Sequence, residues 1–354
     1  MNLAAVEQIA KAVLYEGYML YPYRPSSVKN QQRWNFGVLC PQSYSEAQNG
    51  SEACSMQTEC LVEGSSLTAI EIRVRFLQLV ARSVGQLNTP VSGLLPGEIP
   101  EFHAVEKLAA NGRVYQPWQE AVEREVIVPV CNVQALSHAP LTQPFAFSAE
   151  KQFEPLRESS GEIVGVLVRK RNALLGEVEA AATPQGDGVF KVTVRIRNTT
   201  PFEAADRANR EDALLSALVS AHTILGVQDG QFVSLLAPPD EMSGLASGCK
   251  NVGTWPVLVG DEGNRDTLLS SPIILYDYPQ IAPESAGDLF DGTEIDEILS
   301  LRIMTLTDEE KLEMSQSDER ARQMLERTET MPVEHLMKLH GVLRSLRPLK
   351  EGTP

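Results

Sequence analysis

Long apolar runs are what this sequence most plainly lacks. Its most apolar stretches are broken by Arg, Lys or Glu well short of the roughly 18 to 20 residues that a membrane-crossing helix needs, which argues against a helical span. Positive charge is also short, with 31 Lys+Arg against 47 Asp+Glu and a formal net charge of −16. A general nucleic-acid binder needs a basic face for phosphate contacts, so only a local basic patch stays open. Cysteine is scarce and odd in number. Cys40, Cys54, Cys60, Cys131 and Cys249 are scattered, which fits reduced, buried thiols better than a disulfide framework.

The familiar catalytic signatures are missing too. There is no GxSxG elbow, no GxGxxG fingerprint and no CxxC pair, so nucleophile-elbow hydrolases, Rossmann dehydrogenases and close-doublet metal centres lose their usual support. GLASGCKN at 244–251 has the glycine spacing of a P-loop less one residue, and no Ser or Thr follows Lys250. It reads as a flexible loop. Cys54 and Cys60, Cys131 and His138, and His335 and His340 all miss the spacings of metal ligands. No metal and no cofactor is expected. The N-terminus, MNLAAVEQIAKAVLYEG, has no basic leader region and carries Glu7 and Lys11 where a signal peptide is apolar. The expectation is therefore a cytoplasmic protein without a membrane span.

What is present is an ordinary globular composition, 43% hydrophobic and 22% charged residues, on a chain of 354 residues that is long enough for more than one domain. Residues 3–14 put Leu3, Val6, Ala10 and Val13 on one helical face, with Asn2 placed to cap. After that the period drops to two. In AIEIRVRF, Ile70, Ile72, Val74 and Phe76 alternate with Glu71, Arg73 and Arg75, the pattern of a strand with one wet face. RWNFGVLCP, QTECLVEG and REVIVPVCNV are further strands. EIVGVLVRKRN, LLGEVEAAA and VFKVTVRIRNTTP suggest an antiparallel meander that turns at PQGDG and faces Phe190, Val192, Val194 and Ile196 inward.

Residues 210–222 return to helical spacing through Leu214, Leu215, Leu218 and His222. FVSLLAPP, TWPVLVG and SPIILYDYP are short strands, and PQIAPESAGDLFDG is a linker. In the helical tail beyond it, TDEE at 307–310 is a capping box, and Thr330 with Pro332 starts a last helix bearing the seam Leu336, Leu339, Leu343 and Leu346. The fold class expected is α+β: a β-rich, antiparallel, sandwich-like body over 1–283, with a sub-boundary near 150, an N-terminal helix, and a helical C-terminal region over 284–354.

The best candidate site is GYMLYPYRPSSVKNQQRW at 17–34. Residues 1–35 hold the acids Glu7 and Glu16 against the bases Lys11, Arg24, Lys29 and Arg33, a basic island in an acidic chain. Tyr, Trp and Arg combine large contact area with a polar handle, and Pro22 and Pro25 stiffen the stretch. Tyr21, Tyr23, Arg24, Lys29, Arg33 and Trp34 therefore make a protein-docking surface, against the alternative that the tyrosines cover a sheet edge. Two other readings are open. One is an enzyme of unknown class in which Tyr23, Arg24 and Lys29 hold an anionic small substrate near Glu59 or Cys60. The other is a metallochaperone in which Cys54, Cys60, Cys131 and His138 converge. Glu120, Glu123 and Glu125 form a weaker carboxylate group on one strand, of which Glu123 and Glu125 share a face.

AVLYEGYMLYPYRPSSVKNQQRWNFGVL, TECLVEG, WQEAVEREV and LYDYPQIAPESAGDLFDGTEIDEILSLRIMTLTDEEK resemble a family encoded beside the actinobacterial-type, high-affinity nickel–iron hydrogenases, and the likeness runs over most of the chain. The resemblance implies a non-enzymatic accessory role, as assembly factor or docking protein for a hydrogenase subunit or maturation factor. It supplies no catalytic residues. The chain lacks the CxxC pairs that hold the metal centre of a hydrogenase large subunit, so the resemblance points to a helper protein.

Overall fold

The computed structural model describes residues 3–19, 35–95, 97–203, 205–280, 303–317 and 319–330. Helices α1 (Leu3–Met19) and α2 (Gln42–Ala47) precede β1 (Ser55–Val91). The short strands β2 (Phe102–Val105), β3 (Leu108–Ala110) and β4 (Arg113–Tyr115) lead to β5 (Trp118–Asn132) and α3 (Val133–His138). Then come β6 (Leu141–Phe147), β7 (Glu150–Arg157), β8 (Ile163–Arg171), β9 (Leu174–Gly186), β10 (Val189–Asn198), α4 (Arg210–Leu214) and β11 (Val219–Val233). Helix α5 (Ser243–Ser247), β12 (Trp255–Leu258), β13 (Thr267–Ser271), α6 (Asp308–Ser317) and α7 (Glu319–Thr330) complete the described elements.

A large antiparallel sheet, with an N-terminal helix against it, is built on β1. This one strand pairs with β10 along Ser55–Glu63, with β11 along Leu61–Leu77, with β5 along Ala69–Arg82 and with β8 along Ala81–Val91. QTECLVEG and AIEIRVRF, expected as separate strands, are thus two stretches of it, separated by an irregularity between Gly64 and Ala69. Thr68 closes that kink: its Oγ1 accepts the Ser65 N–H at 2.8 Å and donates to the Asp229 carbonyl at 2.5 Å. Parity survives the kink. Met56, Cys60, Val62, Ile70, Ile72, Val74 and Phe76 all enter one core, where Val126, Val128, Val178, Ala180, Val192, Val194, Ile196, Leu225 and Val227 meet them from the neighbouring strands. Burial of so many aliphatic side chains in this core, each contributing about 1.5–3 kcal/mol, is the main support of the sheet.

The β9–β10 hairpin is as the sequence suggests. Asp187 and Gly188 form a two-residue turn with φ of 49° and 76°, the left-handed pair that a type I′ turn requires. Strand β8 is not part of that meander, because it pairs with β1 and β7 instead. The helix expected over 210–222 is also corrected: α4 ends at Leu214, and His222 lies in β11. From Val219 to Val227 every residue of β11 is buried. A strand covered on both faces gives a continuous apolar run that periodicity alone does not separate from a helix. In the tail, Thr307 and Glu310 form the expected capping box, with the Thr307 N–H donating to Glu310 Oε2 at 2.9 Å and the Glu310 N–H to Thr307 Oγ1 at 3.3 Å. The seam Leu336, Leu339, Leu343 and Leu346 lies outside the described residues.

Candidate functional site

Tyr21, Tyr23, Arg24, Lys29, Arg33 and Trp34 lie outside the described residues, but both ends of their segment are placed. Helix α1 enters it, packing Val6, Ile9, Ala10 and Val13 against Ile224, Val257, Val259, Leu269 and Leu275. Polar contacts fasten the same helix. Both Glu7 carboxylate oxygens accept from Arg75 at 2.9 Å, Arg75 also donates to Glu125 at 2.7 Å, and the Tyr15 hydroxyl donates to Glu123 at 2.6 Å. Tyr15 is buried and packs with Leu77, Leu79 and Val219.

Ser220 joins the two ends. Its Oγ donates to the Val13 carbonyl of α1 at 3.2 Å, while its N–H donates to the Phe36 carbonyl at 2.9 Å on the far side of the segment. Ala221 adds a bond to the Gly37 carbonyl at 3.0 Å, and Leu39 pairs with Leu218. Ser220 holds φ at 54°, a left-handed conformation costly for a non-glycine residue. Ser220 thus fixes the body of α1 and the chain just after the segment to one point of β11.

His222 lies beside this junction and is fully buried. Its Nδ1 sits 3.0 Å from the Ser220 carbonyl. A carbonyl only accepts, so Nδ1 carries the proton and Nε2 is left with a lone pair that meets no donor among the described residues. Burial pulls the imidazole pKa down to about 4, with the Arg75 charge adding to the effect and the Ser220 carbonyl opposing it.

The other sequence candidates are dispersed. Glu59 and Cys60 are consecutive in β1 and point to opposite faces, so they cannot line one pocket. Cys60 enters the main core. Glu59 instead fastens the loop at 244–251: its Oε2 accepts the Lys250 N–H at 2.7 Å, Thr193 donates to its Oε1 at 3.2 Å, Lys191 lies 3.4 Å away, and its own N–H donates to Asn251 at 2.8 Å. The GLASGCKN stretch is therefore tied down, contrary to the flexible loop expected. Among the described residues, no three His, Cys, Asp or Glu side chains come together as a metal site, and this removes the convergence of Cys54, Cys60, Cys131 and His138 that a metallochaperone needs. Burial raises the thiol pKa of Cys40 to about 12 and of Cys249 to about 11, and raises that of Cys60 as well.

Glu123 and Glu125 do share a face, where they anchor α1 through Tyr15 and Arg75. Glu120 points the other way, into a charged cluster that the sequence did not suggest. Past Phe76 the inner face of the sheet turns polar. Arg82 donates to Glu120 at 3.0 Å, Arg169 donates to Glu120 at 2.7 Å and to Glu154 at 2.5 Å, and Arg171 pairs with Glu150. Arg124 stands across from Phe76, donates to the buried Gln78 at 2.9 Å and lies 4.7 Å above the Phe147 ring. Gln78 in turn donates to the Asn172 carbonyl at 2.7 Å. One signal for this cluster is in the sequence, since Gln78 and Arg82 continue the inward parity of Val74 and Phe76. The register that brings β5, β7 and β8 alongside is not.

In comparisons with known proteins, no family model matches the chain and no curated protein matches it. Among the described residues, no helix is long and apolar enough to cross a membrane.

Proposed function

We propose that the protein is a non-enzymatic accessory protein that docks onto another protein through residues 17–34, with Tyr21, Tyr23, Arg24, Lys29, Arg33 and Trp34 as the contact residues. The observation that supports this reading is the Ser220 junction. A segment whose preceding helix and following residues are both held on one strand has its ends restrained before it binds, and that lowers the entropic cost of forming an interface. Its local positive charge, set against an acidic chain, favours a partner with an acidic patch.

The partner in this reading is a subunit or maturation factor of a nickel–iron hydrogenase system in the cytoplasm, as the family resemblance implies. The sandwich-like enclosure of the body and a helical region continuing past Thr330 to an apolar seam belong to the same reading. The seam at Leu336, Leu339, Leu343 and Leu346 serves a partner helix or the protein's own body.

The test is affinity purification of the tagged protein from its native host followed by mass spectrometry, with the Arg24→Ala, Trp34→Ala double variant in parallel. A hydrogenase component is expected with the parent protein and should be depleted with the variant. Recovery of no hydrogenase component, or of every partner by the folded double variant, rules the reading out.

A further inference from the structure

Among the described residues, the charged cluster on the inner face holds more guanidinium groups than carboxylates. Four guanidinium groups, from Arg82, Arg124, Arg169 and Arg171, face the carboxylates of Glu120, Glu150 and Glu154. Arg82 and Arg169 share Glu120, and Arg171 has Glu150. Arg124 has no carboxylate among the described residues: its one acceptor is the Gln78 amide oxygen, and its plane rests on Phe147.

Arg171 is also incompletely bonded, since its Nε is buried and meets no acceptor among the described residues. Gln78 links the strands of the two arginines, accepting from Arg124 and donating to the carbonyl of Asn172, the residue that follows Arg171. Partial burial lowers the Arg124 pKa first, and the Arg171 charge lowers it further. Folding thus leaves Arg124 on a half-buried face without a carboxylate among the described residues, and Arg171 with an unbonded Nε beside its Glu150 pair. The cost is sustained by Gln78, which the Asn172 carbonyl orients, and by Phe147.

We propose that Arg124 and Arg171 form a binding site for the oxyanion head group of a small molecule, a carboxylate or a phosphate. Guanidinium N–H groups match such oxygens in geometry, and charge-assisted bonds of this kind are stronger than neutral ones. Phe147 supplies an apolar wall beside the head group. Gln78 is a positioning residue, holding the Arg124 guanidinium in place. This inference is independent of the docking reading, because it concerns the inner sheet face and not residues 17–34.

The test uses the full-length protein in low-salt buffer, titrated with inorganic phosphate in one arm and acetate in another, by calorimetry and by thermal unfolding. Sodium chloride at matched ionic strength is the control for screening. Phosphate or acetate is expected to bind and to raise the unfolding temperature beyond chloride, the arm with the larger effect naming the head group. Arg124→Gln should weaken that binding by about tenfold or more. It should also unfold at an equal or higher temperature than the parent without anion, since a like-charge contact is gone. Arg171→Gln serves as the second variant if Arg124→Gln does not fold, and Arg197→Gln, on an exposed ion pair, should bind as the parent does. The proposal is overturned if chloride matches both anions, if the folded Arg variants keep parent affinity, or if only a polyanionic peptide binds.

Discussion

Ser220 donates its hydroxyl hydrogen to the carbonyl of Val13, across more than two hundred positions of sequence, and in doing so ties the N-terminal helix to the strand that also receives Phe36. The contact is made from a left-handed backbone with φ of 54°. The hydroxyl bond and the strain oppose each other, and substitutions separate them. Ser220→Ala keeps the strain and loses the bond, for an expected cost of about 1 kcal/mol. Ser220→Gly loses the bond but relieves the backbone, so it should recover most of that loss. Urea unfolding of both variants checks the order; an alanine variant more stable than the glycine variant would contradict it.

The second attachment of α1 is ionic. Arg75 makes a two-pronged contact with Glu7 and also reaches Glu125, and its side chain is largely shielded. The Arg75 contact is the main reason the Glu7 carboxyl is held below its ordinary pKa. Glu7 is half exposed, which discounts the pair, so Arg75→Ala should cost about 1–2 kcal/mol, most of it from leaving Glu125 with Arg73 alone. Amide exchange in α1 should accelerate more than in β13, as mass spectrometry can follow. Uniform acceleration across the sheet would mean that the arginine supports the body as a whole.

His222 should make stability depend on pH in a defined window. Its folded pKa, about 4, lies below the ordinary 6.5. The unfolded chain therefore takes up a proton between these values that the folded protein refuses, so stability is complete above the unfolded pKa and falls as pH drops toward the folded one. The fall should approach about 3 kcal/mol in total. Carboxylates such as Glu7, with its lowered pKa, act at more acidic pH. Denaturant unfolding at several pH values should show the slope in the parent protein and a flatter one in His222→Asn, whose amide retains a donor near Nδ1. An unchanged slope in that variant would assign the effect to other groups.

The sequence carries some of these features openly. Period-two alternation marks Ile70, Ile72, Val74 and Phe76 as one buried face, PQGDG marks its hairpin, and Thr307 with Glu310 marks a helix start, because each is decided by neighbours in sequence. The helical appearance of Leu214, Leu215, Leu218 and His222 misleads for a tertiary reason: α1 covers one side of β11 and the main core the other, and double burial erases alternation. Arg82 keeps the inward parity of Phe76, but nothing within one strand links it to Arg124, Arg169 and Arg171. Only the register that sets Phe76 against Arg124 and Arg82 against Arg169 gathers them. The acids Glu123 and Glu125, which share a strand face, are claimed by Tyr15 of α1 and by Arg75 of β1, both far away in sequence.

The thiols give the last prediction. Cys60 is fully buried in the main core, and burial, reinforced by the Cys249 and Glu59 charges, drives its pKa up. Cys40 is pushed to about 12 by burial and by Glu52, whose carboxylate accepts its S–H. The reactive species is the thiolate, so at about pH 8 both thiols should be protonated and inert. Ellman's reagent should label neither in the folded protein, and both at once in guanidinium. Rapid native labelling that maps to Cys60 by peptide mass would show that β1 opens locally near its kink, because a thiol on the inner face becomes reachable only if the ladder to β10 or β11 comes apart.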